Sequence, residues 1–232
     1  MAESIVQIGV GNATNVFLVR GHGGCILVDT GLPGQADRIL ERLAAHGVAP
    51  ADVRLILITH GHADHFGSAA ALRERTGAPV AVHARDAEAV RRGTNPPETL
   101  RPTSWPVRFL MRVPAFRFPA HAPACEPDVL FEDEWRLDEA GLRPYRFAGR
   151  VLSTPGHTPG SASLLLDSGE AIAGDMVMGF MGRPRPPFVA WDLKQNWASL
   201  CRLLAFSPRL TYLGHGGPFR PEALAALARV RR

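Results

Sequence analysis

Lysine is almost absent from this sequence, and no stretch of it is strongly basic. Lys194 is the only lysine among 232 residues, and arginine supplies nearly all the positive charge behind a net charge of +4. The arginines are scattered, apart from those in the tail RVRR. Because nucleic-acid binding depends on clustered cationic side chains, the sequence predicts no nucleic-acid partner.

Long apolar runs and paired cysteines are also missing. No window reaches the roughly 20 apolar residues of a membrane-spanning helix, and the start MAESIVQIGVG lacks the basic region and apolar stretch of a signal peptide. Cys25, Cys125 and Cys201 are far apart and form neither a disulfide framework nor a CxxC metal site. These absences predict a protein of the reducing cytoplasm with no membrane partner.

The segments that are present predict one α/β domain over residues 1–232. Short β-branched segments alternate with amphipathic ones, and Gly, Asn and Pro separate them. The predicted strands are SIVQIGV, NVFLVR, GCILVD, VRLILI, PVAVH, YRFAGRVLST, SASLLLD, EAIAGD and RLTYLG. The predicted helices are GQADRILERLAAHG, GSAAALRERTG, ARDAEAVRRG, LKQNWASLCRLLAF and PEALAALARV.

The regular pattern fails in an insertion at about residues 94–128, which is rich in proline and aromatic residues. A connection of this length is typical of a lid or an interface. Its large apolar side chains either wall an apolar acyl pocket, cover the core or contact a second copy in a homodimer, and they are Trp105, Phe109, Leu110, Met111, Phe116 and Phe118. In the pocket reading, a nearby arginine holds an anionic end of the ligand, the candidates being Arg108, Arg112 and Arg117. A helix on a membrane surface is a further reading, but Pro106 and Pro114 leave it short.

A dense group of ionisable side chains follows one of the predicted buried strands. The stretch THGHADHFGS comes directly after VRLILI and contains His60, His62, Asp64 and His65. Because strand side chains alternate with period two, His60 and His62 are expected to point to the same side. Asp64 is expected to cap the next helix and also to bind metal. Since imidazole nitrogens and carboxylate oxygens are ligands of zinc and iron, the stretch predicts a metal site.

Three further donors are predicted at the ends of other strands. His157 lies in LSTPGHTPGS, Asp175 follows AIAG and His215 follows TYLG. Each is preceded by a glycine, which permits close approach of the backbone. His157 or His215 alone would be interpreted as a structural or surface residue, but the three together with the dense stretch predict a metal centre. The histidines without such neighbours are His22, His46, His83 and His121.

These motifs resemble those of the metallo-β-lactamase superfamily. HGHADH is similar to its HxHxDH signature, PGHTPGS, GD and GHGGP resemble its later ligand motifs in the same order, and LVDTG resembles its early strand motif. The likeness extends from about Val6 to Pro218. It implies an α/β fold that is a four-layer αββα sandwich, in which two mixed β-sheets pack face to face with helices outside. The site would lie in a cleft at one edge of the sheets.

The resemblance also implies a centre of two zinc ions, with iron or manganese as alternative metals. The implied ligands are His60, His62 and His157 for the first ion, Asp64, His65 and His215 for the second, and Asp175 as a bridge between them. Asp29 resembles the carboxylate that orients a ligand imidazole from behind. A local Asx-type turn before Gly31 is the other interpretation of Asp29.

The reaction implied by the resemblance is hydrolysis of a small molecule. A hydroxide shared by two metal ions would attack a substrate carbonyl, and Asp64 would act as the catalytic proton shuttle. No GxSxG motif or other serine nucleophile is present to perform the attack instead.

Departures from the family patterns bear on the substrate. Family β-lactamases usually lack the bridging aspartate, which is Asp175 here, so a β-lactam would be a weak substrate. Glyoxalase II enzymes share the ligands but add a helical C-terminal extension for glutathione, whereas little follows His215. Lactonases usually carry a tyrosine where this chain has Met178. The chain therefore resembles a glyoxalase II or lactonase-like branch, and the expected substrate is a thioester, a lactone or a related ester.

The alternative from another class is an oxidoreductase. Mononuclear iron members that oxidise a persulfide use a subset of the same ligands, so they stay an alternative. Di-iron members typically carry glutamate at the position of His62 and a flavodoxin domain, neither of which is found here. Nuclease members usually carry an extra domain or arm for RNA, and none is recognised in the sequence.

Overall fold

Two β-sheets form the centre of the fold in the computed structural model, which describes residues 4–9, 14–113, 119–138 and 147–230. The first sheet contains, in spatial order, β1 (Ser4–Ile8), β2 (Val16–Gly21), β3 (Gly24–Val28), β4 (Val53–Leu57), β5 (Val80–His83) and β6 (Val129–Phe131). The pairs β1–β2 and β2–β3 are antiparallel, whereas β3, β4, β5 and β6 pair in parallel, so the sheet is mixed.

The second sheet is also mixed. It is built from β7 (Trp135–Arg136), β8 (Gly149–Ser153), β9 (Ala162–Leu166), β10 (Glu170–Ile172) and β13 (Leu210–Tyr212), with β10 between β9 and β13. Only the β10–β13 pair is parallel among these strands. A separate hairpin pairs β11 (Met178–Phe180) with β12 (Arg183–Arg185). The helices are α1 (Ala36–Ala45), α2 (Ala69–Thr76), α3 (Ala87–Arg92), α4 (Trp105–Leu110), α5 (Leu193–Ala205) and α6 (Pro221–Val230).

Alternation along the strands separates the layers. On β2, Phe17 packs between the sheets, whereas Leu18 packs on the other face with α1, α2 and α3. On β9, Leu164 faces the first sheet, whereas Leu165 packs with α5 and α6. This period-two pattern buries both faces of each sheet. The expected four-layer αββα sandwich with two mixed sheets is confirmed.

The insertion at 94–128 contains a helix that the sequence reading did not predict. Its prolines favoured an irregular segment, but Pro106 stands in the first turn of α4, where a missing N–H group is tolerated. The hairpin of β11 and β12 and the short strands β6 and β7 were also not predicted. Phe116, Arg117 and Phe118 lie outside the described residues. Within the described part of the chain, no helix combines the length and apolar character that a membrane crossing needs.

Candidate metal centre

The dense histidine stretch forms a loop rather than the end of a strand. Strand β4 ends at Leu57 and α2 begins at Ala69, so His60 and His62 lie in the loop between them. Strand alternation therefore does not orient them, and that part of the prediction is wrong. The expected cap is also wrong, because Ser68 occupies the position before α2. Asp64 instead accepts a hydrogen bond from Thr14 Oγ1 at 3.1 Å.

The other three predicted donors reach the same place from the second sheet. His157 follows β8, Asp175 follows β10, and His215 follows β13, which runs parallel to β10. Gly214 leaves the space that the centre needs, because a Cβ atom there would lie 2.1 Å from Asp175 Oδ1. Loops from both sheets thus meet at one edge of the sandwich.

Three imidazoles converge in what we call the three-histidine half, namely His60, His62 and His157. His157 Nε2 lies 3.2 Å from His60 Nε2 and 3.0 Å from His62 Nδ1. All three side chains are buried. One nitrogen of each ring therefore points inward, toward the other two rings.

The outer nitrogen of each of these rings carries the ring proton, because it faces a hydrogen-bond acceptor. His157 Nδ1 donates to Val189 O at 2.8 Å. Thr99 Oγ1 gives its proton to a backbone carbonyl, so His62 Nε2 must donate to Thr99 Oγ1, at 2.7 Å. The Thr59 hydroxyl gives its proton to Asp29 Oδ2, so His60 Nδ1 must donate to Thr59 Oγ1, at 3.0 Å. Each inward nitrogen is therefore unprotonated and presents a lone pair to the space between the rings.

The remaining donors form what we call the carboxylate half, namely Asp64, His65, Asp175 and His215. His215 Nε2 lies 3.3 Å from Asp64 Oδ2 and 3.1 Å from Asp175 Oδ2. His65 Nε2 lies 3.4 Å from Asp175 Oδ1. Asp175 Oδ2 is also 3.7 Å from His157 Nε2, so this carboxylate contacts both halves.

Asp29 lies behind both halves and does not form a local turn. Its carboxylate accepts hydrogen bonds at 2.8 Å each from Thr59 N, Thr59 Oγ1 and His65 Nδ1. Through Thr59 it also fixes the ring of His60. Asp29 has a left-handed backbone with φ of 59°, which is unusual for a non-glycine residue and occurs where surrounding structure enforces it. The carboxylate has the geometry expected of a residue that orients ligand imidazoles.

The donor set fits divalent cations. Three lone pairs that face one another repel unless a positive charge lies between them. His65 Nε2 and Asp175 Oδ1 are buried and have no hydrogen-bond partner, which is costly for polar atoms unless another group satisfies them. The donor atoms fall into three overlapping groups whose members lie within 4.8 Å of one another. Neutral imidazoles and carboxylates are the ligands that zinc, iron and manganese take.

Burial and charge give the two halves different electrostatics. Burial, followed by the adjacent imidazole of His157, lowers the pKa of His62 to about 3. Burial also lowers the pKa values of the other two histidines of that half. Burial opposes a charge on His215 too, but Asp175 and Asp64 outweigh it and raise its pKa to about 10. The first half thus offers neutral ligands, and the second offers negative charge that compensates a cation.

Asp86 also supports the centre, although the sequence did not predict this role. It is buried at the end of the turn before α3, and Oδ2 accepts from Gly61 N at 2.7 Å and from Thr158 Oγ1 at 2.5 Å. Oδ1 accepts from Gly160 N at 2.8 Å. One carboxylate thereby joins the loop of His60 and His62 to the loop of His157. Its sequence context, ARDAEAVRRG, reads as a surface helix and gives no signal of this role.

A narrow cleft leads to the centre. His62, Asp64, His157 and Asp175 line it on the side of the centre, and the walls are Asn95, Leu100, Met178, Phe188 and Val189. Met178 occupies the position where the lactonase pattern has a tyrosine, so the cleft receives a thioether there instead of a phenol. Among the described residues, the four histidines predicted to lie outside the centre belong to none of the candidate metal groups.

Comparison with known sequences identifies relatives over most of the chain. The family model of the metallo-beta-lactamase superfamily matches residues 9–215. The probable metallo-hydrolase YflN of Bacillus subtilis (strain 168) is 28% identical over 207 residues, which cover 83% of this chain and 75% of that protein. A beta-lactamase hydrolase-like protein of Agrobacterium fabrum is 30% identical, with 88% of this chain and 43% of that protein covered. A hydroxyacylglutathione hydrolase of Anaeromyxobacter dehalogenans is 37% identical, with 71% and 46% covered. The chain spans less than half the length of the last two.

Solved structures share the architecture. A metallo-beta-lactamase family protein from Thermus thermophilus has a TM-score of 0.69 at 25% identity, covering 99% of this chain and 79% of that one. The BLEG-1 B3 metallo-beta-lactamase has a TM-score of 0.70 at 21% identity, covering 95% of both chains. These similarities establish the fold.

Proposed function

The chain belongs to the metallo-β-lactamase superfamily, and from that premise we propose that it is a dinuclear metal hydrolase acting on a thioester, a lactone or a related ester. The observation that carries the proposal is the position of Asp175. Its two carboxylate oxygens lie within 3.7 Å of histidine nitrogens from both halves of the centre. A carboxylate in that position suits a bridge between two ions.

The ligands divide as the two halves do. We assign His60, His62 and His157 to one ion, Asp64, His65 and His215 to the other, and Asp175 to both. Zinc is the metal we expect, with iron and manganese as alternatives, because the set holds only nitrogen and oxygen donors. When bound, the pair of ions would lower the pKa of a water molecule and polarise a substrate carbonyl.

The side chains of this chain supply the remaining requirements. Asp64 lines the cleft and is fixed by Thr14, so its carboxylate is the group we assign to move a proton from the attacking water to the leaving group. Asp29 and Asp86 hold the ligand loops in place. Leu100, Met178 and Phe188 narrow the cleft and exclude bulk water from the reacting carbonyl.

The names of the relatives support hydrolysis and leave the substrate to experiment. Two of them are described as a metallo-hydrolase and a hydroxyacylglutathione hydrolase, and the latter name denotes a thioesterase. We therefore rank a thioester or another activated ester ahead of a β-lactam. A mononuclear iron enzyme acting on a persulfide is the alternative outcome of the same experiment.

The test is a set of initial hydrolysis rates with and without a chelator. The substrates are S-lactoylglutathione, short- and long-chain acyl-homoserine lactones, an aryl ester and a chromogenic cephalosporin. Turnover of an ester-type substrate that chelator abolishes and zinc restores is the expected result. Turnover that is indifferent to chelator contradicts the proposal. Feeble rates throughout, together with one iron per chain and oxygen uptake with glutathione persulfide, indicate the oxidoreductase.

A matched pair of variants distinguishes the centre from buried histidines in general. His62→Ala removes a lone pair of the three-histidine half and is expected to abolish turnover. His83→Gln replaces another buried histidine, which bonds to Glu132 O outside the centre, and is expected to retain turnover. Equal loss in both variants would indicate damage to the fold rather than to the centre.

A further inference from the structure

A second and larger cavity opens beside the metal cleft. Its volume is about 490 Å³, within the usual range for small-molecule sites. On one side it is walled by Pro106, Val107 and Leu110 of α4, and on the other by the β11–β12 hairpin and the start of α5. Phe188 lines this cavity and the metal cleft alike, so the two spaces are neighbours.

Three chain segments run from the cleft into the cavity. One carries Leu100 at the cleft and Thr103 at the cavity, and β11 carries Met178 at the cleft and Phe180 at the cavity. The third passes from Val189 at the cleft through Phe188. Two residues of a strand advance by about 7 Å. A group attached to a carbonyl in the cleft therefore reaches the cavity within a few bonds.

The chemistry of the lining is apolar with one cation. None of the described residues that line the cavity is acidic, and Arg185 is the only charged one. Arg185 is exposed, and it pairs across the hairpin with Met178, the residue of β11 that lines the cleft. An apolar wall with a single guanidinium suits a ligand that carries both an apolar group and an anionic group.

The large apolar residues of α4 divide between two faces. Leu110 faces the cavity, whereas Trp105 and Phe109 are 79% and 64% exposed and do not line it. Of the large apolar side chains that the sequence offered for an acyl pocket, Leu110 lines this cavity. The arginines offered for an anionic end were Arg108, Arg112 and Arg117. Neither Arg108 nor Arg112 lines the cavity, and Arg117 lies outside the described residues.

We propose that this cavity binds the apolar acyl or alkyl group of the substrate, and that Arg185 binds an anionic group of the same substrate. The proposal rests on the proposed function, because it takes the carbonyl to react in the cleft. It narrows the substrate class to esters or thioesters that carry both an apolar chain and a negative charge.

The test measures binding in metal-free protein, so it does not depend on turnover. Butanoate, hexanoate and octanoate are titrated by calorimetry, with 1-octanol as the uncharged probe. Each added methylene is expected to tighten binding about threefold to fourfold. Octanoate is expected to bind up to about fivefold more tightly than 1-octanol because of the exposed guanidinium.

Two matched pairs of variants locate the probe. Leu110→Trp fills the cavity and is expected to weaken octanoate binding about tenfold, whereas Phe109→Trp on the exposed face of α4 should leave it unchanged. Arg185→Ala should remove the preference for octanoate over 1-octanol, whereas Arg183→Ala on the same strand should retain it. Circular dichroism of all four variants checks that the fold is intact.

The possible results test the cavity, the role of Arg185 and the proposed function separately. Equal binding by Leu110→Trp and wild type, or no dependence on chain length, overturns the cavity as the acyl site, even if hydrolysis is observed. A preference for octanoate that survives Arg185→Ala overturns the role of Arg185. Binding as expected, with no hydrolysis either of the substrate panel or of an aryl monoester of octanedioic acid, overturns the proposed function and leaves the cavity as a ligand site.

Discussion

The metal centre differs from the outer surface beside the neighbouring cavity in how firmly its side chains are held. In the centre, each imidazole of the three-histidine half is buried and has its outer nitrogen hydrogen-bonded to a named acceptor. On the outer surface, which we call the rim, Trp105, Phe109 and Met181 project into solvent. The contrast separates a network that is fixed in advance from a surface that tolerates substitution.

The largest effect is expected from Asp175→Ala, which removes the carboxylate shared by both halves. Loss of one ion and of transition-state stabilisation worth several kcal/mol should lower kcat/KM by roughly a thousandfold or more. The fold should be retained, because the contacts of the Asp175 carboxylate are with histidines of the centre and not with the core between the sheets. Metal content by mass spectrometry and turnover check this. Full activity in this variant would contradict the dinuclear assignment.

Metal removal is expected to have the next largest effect, which is a loss of stability. Without cations, the inward lone pairs of the three-histidine half repel one another. Metal at about a thousand times its dissociation constant should raise the free energy of unfolding by about 4 kcal/mol. Thermal unfolding with chelator and with added zinc measures the difference. The rim variant Phe109→Ala should show the same metal-dependent shift as wild type, and a smaller shift there would break the contrast between the two regions.

Asp29→Asn should have an intermediate effect. Asp29 Oδ1 accepts from Thr59 N, and Oδ2 accepts from both Thr59 Oγ1 and His65 Nδ1, so the NH2 group of an asparagine must face one of these two sets of donors. Where it faces His65 Nδ1, the proton of His65 moves to the inward nitrogen. Carboxylates behind metal ligands usually contribute about tenfold to a hundredfold in metal affinity or activity. Competition with a chromogenic chelator measures the affinity. Asp128→Asn makes the same chemical change far from the centre and serves as the control.

The smallest effect is expected where the insertion rejoins the sheet. Asp128 pairs with Arg73 and accepts from Val80 N, and these contacts lower the pKa of Asp128. A lowered pKa in the folded state means that the stabilisation is present above the unfolded pKa of about 4 and is lost as the pH falls further. Asp128→Ala should therefore cost about 1 kcal/mol or less at pH 7. The difference from wild type in urea unfolding should shrink below pH 4, and a constant difference would contradict the ionic origin.

The sequence predicted the layers and which donor side chains lie together, but not the contacts that hold those side chains in place. The strand and helix patterns predicted one α/β domain, because periodic burial leaves a readable signature, and the resemblance of the ligand motifs implied the αββα sandwich. The orientation of His60 and His62, however, comes from a loop held by Asp86 and Asn95, not from a strand. Such contacts join residues far apart in sequence, and no local pattern encodes them.

The rim was the least predictable region. The prolines at 94–128 obscured α4, because a proline in the first turn of a helix resembles a proline in a loop. Which face of α4 meets the cavity depends on the hairpin opposite, and the sequence did not predict that hairpin. The assignment of individual ligands to individual ions stays a prediction, and Asp175→Ala tests it.

Asp29 has a consequence for how the centre fills. The same carboxylate orients His65 directly and His60 through Thr59, and these histidines belong to different halves. A small shift that one ion imposes on its ring is therefore passed through this carboxylate to the ring of the other half, and by thermodynamic reciprocity each ion should favour entry of its neighbour. We expect the centre to load cooperatively, so that a population at half saturation holds mostly empty and doubly occupied molecules.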